Sequence, residues 1–337
     1  MKWLLTYLTS SIGKKQVMGA TGCLLLLFVL GHMVGNLQLL YPDPAEAQAA
    51  YNTYTALLNT SEKLLLLVEA GLAGIFIIHI YLAVTLKLQN YKARGAAGYV
   101  VSARKGRKQF PTFIMIWTGL AILAFIVWHL CTIRGIKAFG AGTHYLYINP
   151  EVAGGRVVRD MWLTTVEVLG NPLFAVFYIS TMLILGFHLW HAISSAFQTM
   201  GINHHKWTPI IDKLAILYGV VVACGFGATA VGSFAVVNLD EKAKAIIEQA
   251  KNPSYQEALE ILKQRPLDEQ RKKAHIISKF PERANLIVES IMEKRGLIGV
   301  EKPEEFIKFK EKIKKGKKQR LNDEGQQSEE DSEGDDL

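Results

Sequence analysis

Long apolar segments alternate with polar connections over the first 239 residues of the chain. Five of these segments are long enough to cross about 30 Å of hydrocarbon, which takes about 20 helical residues. They are residues 16–40, 62–88, 112–134, 173–198 and 210–237. Lipid offers no hydrogen-bond partners to the backbone, so such segments must be helical. The pattern therefore predicts an all-α membrane protein with five transmembrane helices in a bundle.

Local signals refine the second half of this bundle. Asn171-Pro172 pairs a good N-cap with a good first helical residue and predicts the start of the fourth helix. Thr208 before Pro209 predicts the start of the fifth in the same way. The segment from Val157 to Leu169 is amphipathic, so it is predicted to lie at the membrane interface.

Beyond residue 239 the chain becomes polar. The predicted organisation is a membrane domain over 1–239, a charged helical tail over 240–322 and an acidic, disordered terminus over 323–337. Residues 240–250 and 254–264 have helical periodicity, with Pro253 and Pro266 as breaks. The tail carries no recognisable site motif and is expected to be a solvated appendage.

Charge is distributed unevenly along the chain and predicts its orientation. Residues 1–239 carry 17 basic and 8 acidic side chains, whereas residues 240–337 carry 21 and 22. The pI near 9.2 therefore reflects the apolar part and does not indicate nucleic-acid binding. Twelve of the 17 basic residues lie on the side of the N-terminus and five on the other side. The positive-inside rule places the N-terminus in the cytoplasm, and five spans then place the tail outside.

The cysteines exclude several classes of site. Cys23, Cys131 and Cys224 all lie in apolar segments, and the chain has no CxxC pair. A disulfide framework, a zinc ribbon and a cysteine-ligated iron–sulfur cluster are therefore not expected. The three side chains are predicted to be small buried hydrophobic groups.

Histidine is the most informative residue type, because ionisable groups at membrane depth are costly and usually functional. Four of the five predicted helices contain a histidine at membrane depth: His32, His79, His129 and His188. At about 1.5 Å per residue, His32 and His129 lie at one level near the outer face. His79 and His188 lie at a second level near the inner face.

Two imidazoles at one level suit the axial ligation of a haem iron. The two levels therefore predict two stacked b-type haems, which need no CxxCH motif. His191 lies three residues from His188 and is predicted to support the inner haem without ligating it. Glycines on the first two helices either leave room for a flat macrocycle or mark close helix packing.

Several segments carry a resemblance to a known family. They are Ser11-Ile-Gly-Lys-Lys15, Gly31-His-Met-Val-Gly-Asn36, Ile78-His-Ile80, Val127-Trp-His-Leu130 and Gly186-Phe-His-Leu-Trp-His-Ala192, continuing to Gln198-Thr-Met-Gly-Ile202. Over residues 1–237 the chain resembles the membrane anchor of succinate dehydrogenases and fumarate reductases, in the single-subunit, five-helix, two-haem cytochrome b type. The resemblance pairs His32 with His129 at the outer haem and His79 with His188 at the inner haem.

This resemblance also implies partners and a location. A flavoprotein subunit would oxidise succinate, an iron–sulfur subunit would pass electrons to the inner haem, and the outer haem would exchange them with a quinone, often menaquinone. The implied location is a bacterial cytoplasmic membrane. The chain itself has no dinucleotide-binding GxGxxG context and no cluster cysteines, so it is not expected to carry out the dehydrogenation. The tail has no counterpart in this resemblance.

Quinone chemistry needs a proton donor or acceptor near the ring. Three carboxylates lie near the outer helix ends: Glu62, Glu69 and Glu167. Glu69 is the deepest and is the candidate for this role, and an interhelical polar contact is the alternative.

Two other functions remain open. One is a dihaem cytochrome of another dehydrogenase, and the other is a transporter or structural membrane protein whose histidines are polar contacts.

Overall fold

The computed structural model describes residues 2–59, 61–95, 111–135, 145–149, 156–268 and 270–273. The basic residues between 96 and 110, which count among the twelve on the side of the N-terminus, and residues 274–337 lie outside this part of the chain. The described residues are mostly helical, and five helices are long and apolar enough to cross a membrane. They span Ser11–Leu40, Lys63–Ala93, Ile114–Arg134, Pro172–Thr199 and Thr208–Leu239. The prediction of five long apolar helices is confirmed.

Side-chain capping occurs as predicted at the start of α7 but not at the start of α8. The elements in order are α1 (Lys2–Thr9), α2 (Ser11–Asn36) with a 3-10 turn (Leu37–Leu40), α3 (Pro44–Leu58), α4 (Glu62–Arg94), α5 (Pro111–His129) with a π turn (Leu130–Arg134), β1 (Leu146–Asn149), β2 (Arg156–Arg159), α6 (Met161–Gly170), α7 (Pro172–Thr199), α8 (Thr208–Leu239), α9 (Glu241–Lys251) and α10 (Pro253–Lys263). The Asn171 side chain caps α7 by accepting from the amides of Leu173 and Phe174, as predicted. Thr208 is not the cap of α8: it is the first helical residue, and its hydroxyl accepts from the His204 amide.

Four of the long helices pack in the order α4, α2, α7 and α5. Helix α2 packs against α4 and α7, and α5 packs against α7, whereas the described parts of α4 and α5 make little contact. The pairs α2–α5 and α4–α7 also make little direct contact, and we call them the diagonals. Helix α8 lies outside the four and packs along α7, where a Cβ on Gly186 would lie 2.9 Å from the carbonyl oxygen of Gly219. Small residues allow this close backbone approach.

A cap made of α3, β1, β2, α6, α9 and α10 covers one end of the bundle. Its strands form an antiparallel hairpin in which Leu146 pairs with Arg159 and Asn149 with Arg156. This hairpin departs from the all-α prediction. Each strand has only four residues, too few to produce a clear alternating pattern in the sequence.

Two apolar clusters hold the cap together, and the tail contributes to both. Ala250 of α9 joins the cluster around the fully buried Trp162 and Leu163. Leu259 and Leu262 of α10 pack against residues of both strands, namely Leu146, Ile148 and Val157. The expectation of a wholly solvated tail is therefore wrong for α9 and α10, because their apolar faces are covered. The predicted interfacial segment 157–169 likewise divides into a strand and helix α6, most of which is buried by protein.

A buried carboxylate organises the polar part of the cap. Asp160 is fully buried and accepts hydrogen bonds from Gln48 Nε2 (2.7 Å), Asn52 Nδ2 (2.9 Å) and the Leu163 amide (2.9 Å). Asn52 Oδ1 accepts in turn from the amides of Met161 and Trp162. Burial raises the pKa of Asp160, although the three donated hydrogen bonds oppose that shift. These contacts fix α3 against the start of α6.

Candidate functional site

The four predicted histidines lie on α2, α4, α5 and α7 and form two pairs. The ring centroids of His32 on α2 and His129 on α5 lie 5.9 Å apart with an interplanar angle of 75°. His79 on α4 and His188 on α7 lie close enough to interact electrostatically. We call these the outer pair and the inner pair, after the predicted orientation. Each pair connects two helices that otherwise make little direct contact.

Threonine hydroxyls on neighbouring helices hold the inner pair. Thr21 Oγ1 on α2 lies 3.2 Å from His79 Nδ1, and Thr118 Oγ1 on α5 lies 3.0 Å from His188 Nδ1. Each hydroxyl also donates to a backbone carbonyl of its own helix. It therefore accepts from an imidazole Nδ1–H, which leaves the lone pair of Nε2 free to bind a metal.

Longer contacts hold the outer pair. The amide nitrogen of Asn36 lies 3.4 Å from His32 Nδ1, and the hydroxyl of Tyr178 lies 3.4 Å from His129 Nδ1. Aromatic rings enclose the two imidazoles: Phe28 stacks on His32 at 5.5 Å, and Phe125 stacks on His129 at 5.7 Å. The local hydrogen bonds at this level are thus weaker than those of the inner pair.

An internal repeat places these supporting residues, and the sequence reasoning missed it. Thr21-Gly22, Phe28 and His32 on α2 have the same spacing as Thr118-Gly119, Phe125 and His129 on α5. Eleven residues span three helical turns, so each threonine lies on the same face as its histidine, about 16 Å along the axis. The pattern Thr-Gly-x5-Phe-x3-His occurs once on α2 and once on α5, and this repetition is the sequence signal that identifies the supporting residues.

The glycines of this repeat allow the histidines to approach. A Cβ on Gly22 would lie 3.4 Å from Cε1 of His79, and a Cβ on Gly119 would lie 3.5 Å from Cε1 of His188. The remaining glycines differ in their surroundings. A Cβ on Gly31, Gly71 or Gly74 would meet nothing within 4 Å, whereas Gly35 packs against Tyr54.

The outer pair has the spacing that a shared metal requires. A metal–imidazole nitrogen bond of about 2.0–2.1 Å, the value for zinc, places two imidazoles on opposite sides of one metal with centroids about 6 Å apart. Within the described residues, no three of His, Cys, Asp and Glu group together as ligands of a bare metal ion. Haem needs only axial ligands from the protein. Two imidazoles at this spacing, on helices that make little other contact, fit that group.

The other predicted site residues lie apart from the two pairs. His191 is near enough to His188 to interact with it electrostatically and belongs to neither pair. His204 and His205 stack on each other in the exposed connection between α7 and α8.

Glu69 forms an ion pair that joins α4 to the end of α5. Its carboxylate oxygens lie 3.0 Å from Arg134 Nε and 3.3 Å from Arg134 Nη2. Both side chains are about half exposed. Glu69 thus lies next to the π turn that follows His129, at the level of the outer pair. Glu167, another predicted carboxylate, pairs instead with Lys251 of the tail at 2.6 Å.

Two basic residues near opposite ends of the helices, Arg159 and Lys15, make different contacts. The guanidinium group of Arg159 donates to the carbonyl oxygens of Ile133 and Arg134, both at 3.0 Å. Lys15, at the opposite end of the bundle, lines a cavity of about 290 Å³ together with Ile12, Ser195, Gln198 and Thr199.

Comparisons of this chain with protein-family models, with curated proteins and with solved structures find no match.

Proposed function

We propose that this chain is the membrane-anchoring electron-transfer subunit of a succinate:quinone oxidoreductase, holding two b-type haems. The observation that carries the proposal is the pair of histidine sets, each spanning a diagonal of the four-helix bundle at its own level. Cofactor sites in helix bundles are built in this way, from side chains on facing helices. If the histidines were only polar contacts, as in a transporter or structural protein, they would be expected between helices that pack directly against each other. Each pair instead joins two helices that make little other contact.

Each residue of the two sets has a defined part in this function. His32 and His129 would hold the outer haem iron, and His79 and His188 the inner one. Thr21 and Thr118 fix the tautomer and orientation of the inner imidazoles, which is the usual role of such supporting groups. When bound, the haems supply reversible one-electron transfer between the two levels. Phe28 and Phe125 stack on the outer imidazoles.

The partners, the quinone and the membrane location follow from the family resemblance. A flavoprotein and an iron–sulfur subunit would dock on the basic, cytoplasmic side. A quinone, with menaquinone as the expected type, would react near the outer pair in a bacterial cytoplasmic membrane. The five apolar helices support a multi-pass membrane protein. The segments around His32 and His188 favour this reading over a cytochrome of another dehydrogenase.

A reduced-minus-oxidised absorption spectrum of the purified protein, with haem quantified against protein, tests the proposal. We expect a b-type spectrum and two haems per chain, together with co-purification of a succinate-oxidising flavoprotein. A protein without haem would support the transporter or structural alternative. A dihaem protein that co-purifies with a different dehydrogenase would support the other cytochrome reading.

Replacing Glu69 by glutamine is expected to slow quinone turnover while both haems remain bound. The variant removes a proton acceptor and its ion pair with Arg134, and general acid–base groups contribute about 10²–10⁴-fold to rates. Succinate-dependent reduction of an added quinone, measured in the purified complex, should fall by about 10²-fold. Glu167→Gln is the matched control, because Glu167 also forms an ion pair at this end. Equal rates in the two variants would remove Glu69 from the mechanism.

A further inference from the structure

Two glutamines of the tail support the hairpin formed by β1 and β2. Gln256 of α10 accepts from the Leu146 amide at 2.7 Å and donates to the Leu146 carbonyl oxygen at 3.2 Å. Gln270 accepts from the buried amide of Val157 at 3.2 Å, and its own amide donates to the carbonyl oxygens of Lys263, at the end of α10, and of Arg265. Both strands of the hairpin are therefore hydrogen-bonded to tail side chains.

From this hairpin, one route leads to His129. Arg159 is the last residue of β2, and its guanidinium group donates to the carbonyl oxygens of Ile133 and Arg134. These carbonyls belong to the π turn that directly follows His129. Carbonyls at a helix end have no partner within the helix, so Arg159 fixes the conformation of this turn.

A second route leads from the next residue to His32. Asp160 holds α3 through Gln48 and Asn52, and α3 carries the buried Tyr51. Tyr51 donates to Asn36 Oδ1 at 3.0 Å, and the Asn36 amide nitrogen lies 3.4 Å from His32 Nδ1. Residues 159 and 160 thus connect the cap to both histidines of the outer pair.

The inner pair has no such connection among the described residues. Its Nδ1 partners, Thr21 and Thr118, lie on the membrane-spanning helices α2 and α5. They make the shorter contacts, whereas the outer pair relies on contacts of 3.4 Å. The two levels therefore differ in what positions their ligands.

We propose that the tail segment 241–273, acting through β2 and Arg159, is a positioning element for the outer histidine pair and has no such role at the inner pair. This inference rests on the proposed haem-binding function. It gives the tail a task in the same electron-transfer path, because ligand orientation and nearby charge tune the reduction potential of a haem.

The test compares single variants of the full-length protein by redox titration and by electron paramagnetic resonance of the two haems. Arg159→Ala is expected to lower the midpoint potential of the outer haem and alter its low-spin signal, leaving the inner haem unchanged. Gln270→Ala changes no charge, so a shift of the outer signal in that variant reports orientation alone. Arg159→Lys, which keeps the charge and one donor group, should restore part of the effect.

Two matched variants complete the design. Arg156→Ala removes a cation from the same strand, and no hydrogen bond of its side chain is found among the described residues, so neither haem should change. Thr118→Val should produce the reverse pattern, with only the inner haem affected. Hydrogen–deuterium exchange at residues 130–134 should accelerate in Arg159→Ala and not in Arg156→Ala, whichever redox state is used.

Failure of the inference is distinct from failure of the proposed function. A wild-type protein without haem would overturn the proposed function. A dihaem wild type would overturn the inference if Arg159→Ala and Gln270→Ala left both haems unchanged, or if they shifted or released both haems alike.

Discussion

Replacing His188 by leucine is expected to remove one of two haems and to leave the other bound. Leucine fills a similar volume and has no nitrogen to bind iron, so the inner site would keep only His79. The outer pair lies on other helices, α2 and α5, about 16 Å away along the bundle axis, so it should retain its ligands. The haem content should therefore fall from two per chain to one.

The measurement is haem quantified by its pyridine adduct per mole of protein, together with the electron paramagnetic resonance signals of the two sites. His205→Leu is the matched control, because His205 is exposed in the connection between α7 and α8. It should retain both haems. Retention of two haems in His188→Leu would contradict the pairing of His79 with His188, and loss of both would mean that the two levels are not independent sites.

Replacing Asp160 by alanine is expected to destabilise the cap by about 3 kcal/mol or more. The substitution removes the common acceptor of three hydrogen bonds and leaves buried donors on Gln48, Asn52 and the Leu163 amide. Each buried donor left without a partner costs about 1–3 kcal/mol. Hydrogen exchange of the α6 amides should accelerate by about 10²-fold, since 1.4 kcal/mol corresponds to a factor of ten.

The isosteric variant Asp160→Asn provides the control for shape. Its Oδ1 can still accept hydrogen bonds, and Gln48 can turn its amide oxygen toward the new donor, so the loss should be smaller. Equal exchange rates in Asp160→Ala and wild type would show that this network does not stabilise the cap.

The same carboxyl group predicts a dependence of cap stability on pH. Burial raises the pKa of Asp160 above its ordinary value of 3.8, so the folded cap binds this proton more tightly than the unfolded chain does. Stability from this group is greatest below pH 3.8 and decreases as the pH rises from there to the raised pKa. This part of the pH dependence should be absent in Asp160→Asn.

Some features of the site followed directly from the sequence, and others needed the fold. The levels of His32, His79, His129 and His188 could be predicted because helix rise converts sequence position into depth. The side chains that contact these histidines were harder to predict. Thr21 and Thr118 are ordinary in an apolar helix, and only the contact between helices shows which imidazole each hydroxyl meets. The repeated Thr-Gly-x5-Phe-x3-His spacing would have identified both threonines without coordinates.

The cap could be predicted only in its parts. The helical periodicity of 240–250 and 254–264 agrees with α9 and α10, within one residue at each end. Their packing against Leu146 and Val157 could not be inferred, because the contacting residues are about 100 positions apart along the chain. The role of Asp160 was hidden for the same reason, since Gln48 and Asn52 belong to α3.

The sequence by itself determined the five long apolar helices and predicted the levels of the four histidines. Both depend on local quantities, namely the length and hydrophobicity of a segment and the rise of a helix. Only the tertiary structure decided which helices are neighbours and which are diagonals, which hydroxyl meets which imidazole, and that part of the tail completes the cap. Those features depend on the packing of distant segments, and packing is fixed by the shape and partners of whole surfaces rather than by any one stretch of sequence.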